Sequence, residues 1–132
     1  MKRDKTEARY AFDARGSLIL DNGGRMGVAL AVADDPWKRF LGLMGLEGMA
    51  QGRGLLLERC SSIHMCFMRF PIDVIWLAKP DREGMRKVTG VSRDVKPWRT
   101  AFGPRGTDAC IEMAAGTAPA WPGALTCAGE LG

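Results

Sequence analysis

Pro71 falls inside an apolar stretch, residues 60–77, CSSIHMCFMRFPIDVIWL, and forbids it from forming either one long helix or one central strand. Proline lacks the amide hydrogen that a helix or a ladder needs, and its ring clashes with the preceding helical turn. The stretch therefore divides into IHMCFMRF and IDVIWLA, two extended segments joined by a bend. The same stretch holds the chain's only histidine, His64, and a carboxylate, Asp73. A polar group taken out of water without a partner costs about 1–3 kcal/mol, so both need bonds or exposure.

Punctuation of this kind runs through the chain. Residues 17–33, SLILDNGGRMGVALAVA, are two apolar runs on either side of Asn22, Gly23 and Gly24, residues that accept positive φ, which predicts a hairpin. In DDPWKRFLGLMG, Asp34 or Asp35 can cap and Pro36 suits the first helical position. Trp37, Phe40, Leu41 and Met44 fall on one face, which predicts a short amphipathic helix ending near Gly45. GLLLE reads as a buried strand, KVTGVSR as another and ACIEM as the last core strand. DVKPWRTAFGPRG reads as a loop, and Pro119 and Pro122 limit any helix in the tail to about a turn. The expected fold is mainly β with one short helix (α+β): a small antiparallel barrel-like sheet, with the helix closing one end.

A chain of 132 residues is the size of one domain. We assign residues 1–16 to a charged extension or edge strand and 17–132 to a single β-rich domain. No apolar run is long enough to cross a bilayer, so no membrane partner is expected. The net charge of +4 comes from cations interspersed with acids, which argues against nucleic acid. The charged start, MKRDKTEARYAFDARG, lacks the apolar block of a secretory signal and leads us to expect a cytoplasmic protein. Cys60, Cys66, Cys110 and Cys127 form no CxxC pair, so neither a zinc ribbon nor a thioredoxin-type motif is present, and no cofactor is implied.

RFLGLMGLEGM, GLLLERCSSIHMCFMRFPIDVIWL, KPWR and IEMAAGT, in this order and spacing, resemble the family known as domain of unknown function 192. The resemblance covers roughly residues 28–131. Its central string maps onto Ile63, His64, Met68, Pro71, Ile72 and Asp73, with Pro97, Trp98 and Glu112 matching later positions. It implies a small, mostly β fold from a widespread prokaryotic family without an established biochemical role. Cys66 stands where relatives usually carry an aromatic or small residue, and their closing glycine-aspartate is Gly129 and Glu130 here.

If residues 60–70 are extended, Cys60, Ser62, His64, Cys66, Met68 and Phe70 share one face. Cys60, His64 and Cys66 offer soft-metal ligands for zinc or copper, but same-face residues about 7 Å apart cannot easily meet on one ion. Small buried thiols are the simpler reading. His64 is either a ring bonded to a backbone carbonyl or a donor and acceptor for a ligand or proton. Asp73 is either a carboxylate that pins a loop through backbone amides or the orienter of His64 in an acid-base couple. Trp98 and Arg99 either form the rim of a pocket, where the indole stacks on a ligand beside the guanidinium, or Trp98 covers the core. Glu112 alternates with Ile111 and Met113, so we expect it solvated or paired with an arginine. The expected function is a binding module that recognises a small molecule or peptide through His64, Met68, Arg69, Asp73 and Trp98. The alternatives are an enzyme using His64 and Asp73 and a soft-metal protein.

Overall fold

The computed structural model describes residues 9–33 and 35–127. Ala14–Leu20 (β1) and Arg25–Ala33 (β2) form the hairpin that the sequence predicts. Its turn is closed by the Gly23 amide on Leu20 and by the Gly24 amide on Oδ1 of Asn22, with Gly23 at φ +89°. Pro36–Leu41 (α1) follows, capped by Asp35, whose carboxylate accepts from the Lys38 amide; Asp34 lies outside the described residues. The remaining strands are Arg53–Glu58 (β3), Ser62–His64 (β4), Ile72–Leu77 (β5), Arg86–Val95 (β6), Thr100–Phe102 (β7), Ala109–Ala114 (β8) and Pro122–Cys127 (β9).

Seven strands close a barrel in the order β1-β2-β3-β8-β5-β6-β9, and β4 pairs with β7 in a small sheet of their own. Among the barrel pairs β2–β3 is parallel and every other one antiparallel. A parallel pair needs a crossover, and residues 35–52, with α1 among them, belong to it. Two expectations are corrected here. ACIEM is not the last core strand, because β9 follows it and seals the barrel against β1 and β6. The stretch DVKPWRTAFGPRG is not all loop, because β7 lies within it.

Alternation along the strands divides the apolar residues between two cores. Leu18, Leu30, Leu56, Ile75, Ile111 and Leu125 fill the barrel interior. Their neighbours Leu57, Val74, Trp76 and Cys110 point outward and are covered by Leu43, Leu46, Ile63, Met65 and Met68. The wall β3-β8-β5 is thus buried on both faces, which explains why β5 is buried at every position. Gly54 marks the tightest interior point: a Cβ there would stand 2.6 Å from Cγ2 of Ile111 and 3.2 Å from Cδ2 of Leu30. Gly54→Ala is expected to cost about 1–3 kcal/mol in urea denaturation by overpacking.

The helix departs from its expected role. It ends at Leu41 rather than Gly45, where Gly42 turns to φ +49°, and none of its residues is buried. Leu43 and Leu46, beyond the helix, do the covering instead. Trp37 and Phe40 remain 66% and 56% exposed, so α1 does not plug a barrel end with them. Among the described residues, no helix is long and apolar enough to cross a membrane.

Candidate functional site

Residues 42–46 and 60–68 roof the outer face of the β3-β8-β5 wall, and a small cavity remains beneath the roof. Several bonds hold the roof down. Tyr10 donates its hydroxyl to the Gly42 carbonyl at 2.6 Å, and Arg9 reaches the Met44 carbonyl at 2.8 Å. The Gly45 amide donates to the Phe67 carbonyl, and the Met65 carbonyl accepts from the Trp98 amide. The cavity measures about 50 Å³ and is lined in part by Leu43, Cys60, His64, Cys66, Met68 and Glu112. That is room for on the order of three or four water molecules. Larger hollows of about 490 and 480 Å³ lie open on the surface beside the β1–β2 hairpin and beside Trp121, lined by neither cysteine nor histidine.

Glu112 forms the cavity's most unusual wall. It is 5% exposed, and its Oε1 has no hydrogen-bond partner among the described residues. Burial, reinforced by the neighbouring Cys60 thiolate, pushes its carboxyl up to about 8, so it carries its proton at neutral pH. The expectation of a solvated or arginine-paired Glu112 is therefore corrected. Alternation does turn it away from Ile111 and Met113, but the far side of β8 is covered by the roof rather than by water. Gly42 permits the close approach, since a Cβ at that position would lie 3.3 Å from Oε1.

Cys60 lies beside Glu112, two residues past β3, and its Sγ reaches the Ser62 carbonyl at 3.0 Å. A side-chain hydrogen bond with Cys110 draws its thiol down to about 7 against the opposing effect of burial; a backbone bond from Ser62 and the charge of Arg39 help. Cys110 is fully buried on β8, and its own thiol is pushed upward by the bond to Cys60 and by desolvation. Cys60, Cys66 and Cys110 are all free thiols. Among the described residues, no three histidine, cysteine or acidic side chains are grouped to hold one metal ion.

His64 ends β4 with both ring nitrogens engaged. Nδ1 accepts from the Cys66 amide at 3.2 Å, which assigns the proton to Nε2, and that nitrogen donates to the Phe40 carbonyl at 3.3 Å. The ring also lies 5.4 Å from that of Phe40. Met68 lines the cavity and is buried. Arg69 and Trp98 do not line it. Arg69 is exposed near Glu47, and Trp98 is 63% exposed at φ +69° with its ring edge-on to Phe67, which is 62% exposed.

Asp73 stands apart from this group. It is 1% exposed; Oδ1 accepts from the Asp94 amide at 2.9 Å, and Oδ2 from the Gly116 and Ala118 amides at 2.9 and 3.0 Å. The register of β5 on β8 gives the reason. Asp73 pairs with Met113 and Val74 with Glu112, so Asp73 shares the interior face with Met113, while Glu112 belongs to the outer one. His64 lines the outer cavity, and the barrel wall separates it from Asp73. The acid-base couple does not assemble.

The family model DUF192 (Uncharacterized ACR) matches residues 18–122, most of the chain, and begins earlier and ends sooner than the 28–131 that the motifs suggest. Gly129 and Glu130 lie beyond that match and outside the described residues. Two solved structures are similar in fold. One, from Sinorhizobium meliloti 1021 and provisionally named a transcription regulator, superposes with a TM-score of 0.76 at 23% identity, over 90% of this chain and 95% of that one. The other, a protein of unknown function from Novosphingobium aromaticivorans DSM 12444, gives 0.72 at 18% identity, over 85% and 83%. No curated protein matches the sequence.

Proposed function

The chain belongs to the DUF192 family, and from that premise we propose that it is a binding module that seats a small neutral polar group in the cavity under residues 42–46 and 60–68. The observation that carries this reading is the buried, unpartnered Oε1 of Glu112 in the cavity wall. A native interior rarely leaves such an atom without a bond, and a ligand that takes the place of cavity water can complete that pairing. The protonated carboxyl offers one donor and one acceptor, which a carboxamide matches. The rest of a small molecule or peptide would lie on the exposed rings beside the roof, Phe40, Phe67 and Trp98. Of the five residues expected from the sequence, His64 and Met68 keep a place in this site, Arg69 and Trp98 belong to its surroundings, and Asp73 supports the scaffold.

Acetamide, acetate and methylammonium, titrated separately into nitrogen-15-labelled protein at about pH 6, test this. Glu112 is then protonated, since its carboxyl titrates near 8. Acetamide is expected to shift the Gly42, Cys60 and His64 amides, to lose that effect in Glu112→Leu, and to weaken as pH rises through about 8. Cavity amides that ignore all three probes, or acetamide shifts that persist in Glu112→Leu, would remove the site.

A further inference from the structure

The thiols of Cys60 and Cys110 play no part in that binding reading. The Cys60 amide donates to the Asp108 carbonyl at 2.8 Å, which sets Cys60 beside the start of β8, and Cys60 packs against the buried cluster that contains Cys110. Cys110 is sealed in the wall, whereas Cys60 opens into the cavity, so one thiol can meet a small solute and the other can meet only Cys60. The protonated Glu112 carboxyl faces the same space. We propose that Cys60, Cys110 and Glu112 form a two-thiol site that reacts with hydrogen peroxide and closes to an intramolecular disulfide.

Each part of the site has a role. The Cys60 thiolate attacks one peroxide oxygen; an S–O bond forms and the O–O bond breaks. The departing hydroxide takes a proton from Glu112, which regains one from solvent, so the first step yields a sulfenic acid and water. The Cys110 sulfur then attacks the Cys60 sulfur, the S–S bond forms, and the hydroxyl leaves with the Cys110 proton as a second water. Two thiols are oxidised by two electrons and one peroxide is reduced to two waters. A cavity of about 50 Å³ admits hydrogen peroxide and excludes bulky hydroperoxides. The lowered Cys60 thiol favours the attack, and the Cys60 amide bond to Asp108 holds that residue against the strand that carries Cys110.

The test uses the full chain at about pH 7 with limiting hydrogen peroxide. Tandem mass spectrometry is expected to find a Cys60–Cys110 link, with Cys60 consumed roughly five to ten times faster than Cys66 or Cys127, the gain in thiolate being offset in part by lower nucleophilicity. A Cys66→Ser, Cys127→Ser protein retains only the two thiols in question; on oxidation it should lose two hydrogens in mass and both free thiols without dimerising. Cys110→Ala removes the partner that lowers the Cys60 thiol and so reacts more slowly, but it should stop at a sulfenic acid on Cys60 that a cyclic diketone traps. Equal reaction rates at Cys60 and Cys66, or a link from Cys60 to any other cysteine, overturns the proposal. If Cys110→Ala does not fold, the wild-type linkage map decides alone. Neither outcome depends on acetamide binding, so this site and the binding reading stand or fall separately.

Discussion

An Asp73→Asn variant is expected to lose about 4 kcal/mol of stability, read as a lower urea midpoint with an unchanged slope. The carboxylate gathers three backbone amides from two connections, Asp94 at the end of β6 and Gly116 and Ala118 between β8 and β9. A hydrogen bond to a charged acceptor contributes about 1.5–3 kcal/mol, and an orphaned buried donor costs about 1–3 kcal/mol. Asparagine preserves the shape but sets its NH2 group against donors wherever it sits: two amides share Oδ2 and one faces Oδ1. Asp73→Ala should cost about as much, by leaving all three amides bare. A loss below about 1 kcal/mol in both variants would mean that these bonds are not what holds the two connections. Acetamide shifts at Gly42 should survive in any fraction that stays folded, because the substitution lies on the other side of the wall.

The second large effect is a pH profile. The Glu112 carboxyl titrates near 8 in the folded protein and near its ordinary 4.5 in the unfolded chain. Between those values the folded state holds a proton that the unfolded state has released, so stability falls as pH rises through that window. The full interval amounts to roughly 4–5 kcal/mol. Below about 4.5 both states are protonated and above about 8 both are ionised, so the profile flattens at each end. Glu112→Gln should therefore match the wild type near pH 5 and exceed it by several kcal/mol at about pH 8. Cys60 acts in the opposite direction. Its folded thiol is drawn down to about 7 from 9, so it adds stability as pH rises between those values, and the comparison is cleanest in a Cys60→Ser background. In that background, parallel profiles with and without the Glu112→Gln substitution would show that the carboxyl is not held neutral.

The barrel is legible in the sequence because its signals are local. Asn22-Gly23-Gly24 fixes the first hairpin, Asp35-Pro36 starts the helix, and Pro71 stands just before β5. The preceding strand, β4, nevertheless ends at His64, and residues 65–70 turn instead of continuing the strand expected of IHMCFMRF. What local pattern does not convey is the second covering layer. Trp37 and Phe40 have helical spacing, yet Gly42 diverts the chain and hands their expected burial to Leu43 and Leu46. β9 escapes a reading of local pattern because Pro119, Pro122 and the small residues around them look irregular; a first-position proline is tolerated where the strand begins.

The site is legible only in part. His64 and Met68 stand out from their segment, but alternation alone sends Glu112 to solvent, because it says which side a residue faces and not what lies there. The isolated carboxylate in ACIEM, within a run otherwise buried, is the available signal. Asp73 and His64 invite grouping because they are near in sequence. One residue of strand register, Asp73 opposite Met113 rather than Glu112, puts them on different sides of the wall.

The seam between β1 and β9 has a consequence for biogenesis. Gly16 meets Cys127 and Leu18 meets Leu125, so the first strand of the barrel waits for the last before its free edge is covered. On the ribosome, everything from the opening hairpin to β8 emerges while that edge still exposes unpaired amides and carbonyls, a template for another nascent chain. Stalled or prematurely terminated products ending before Pro122 should be the sticky ones, and chaperone demand should concentrate in that interval of translation.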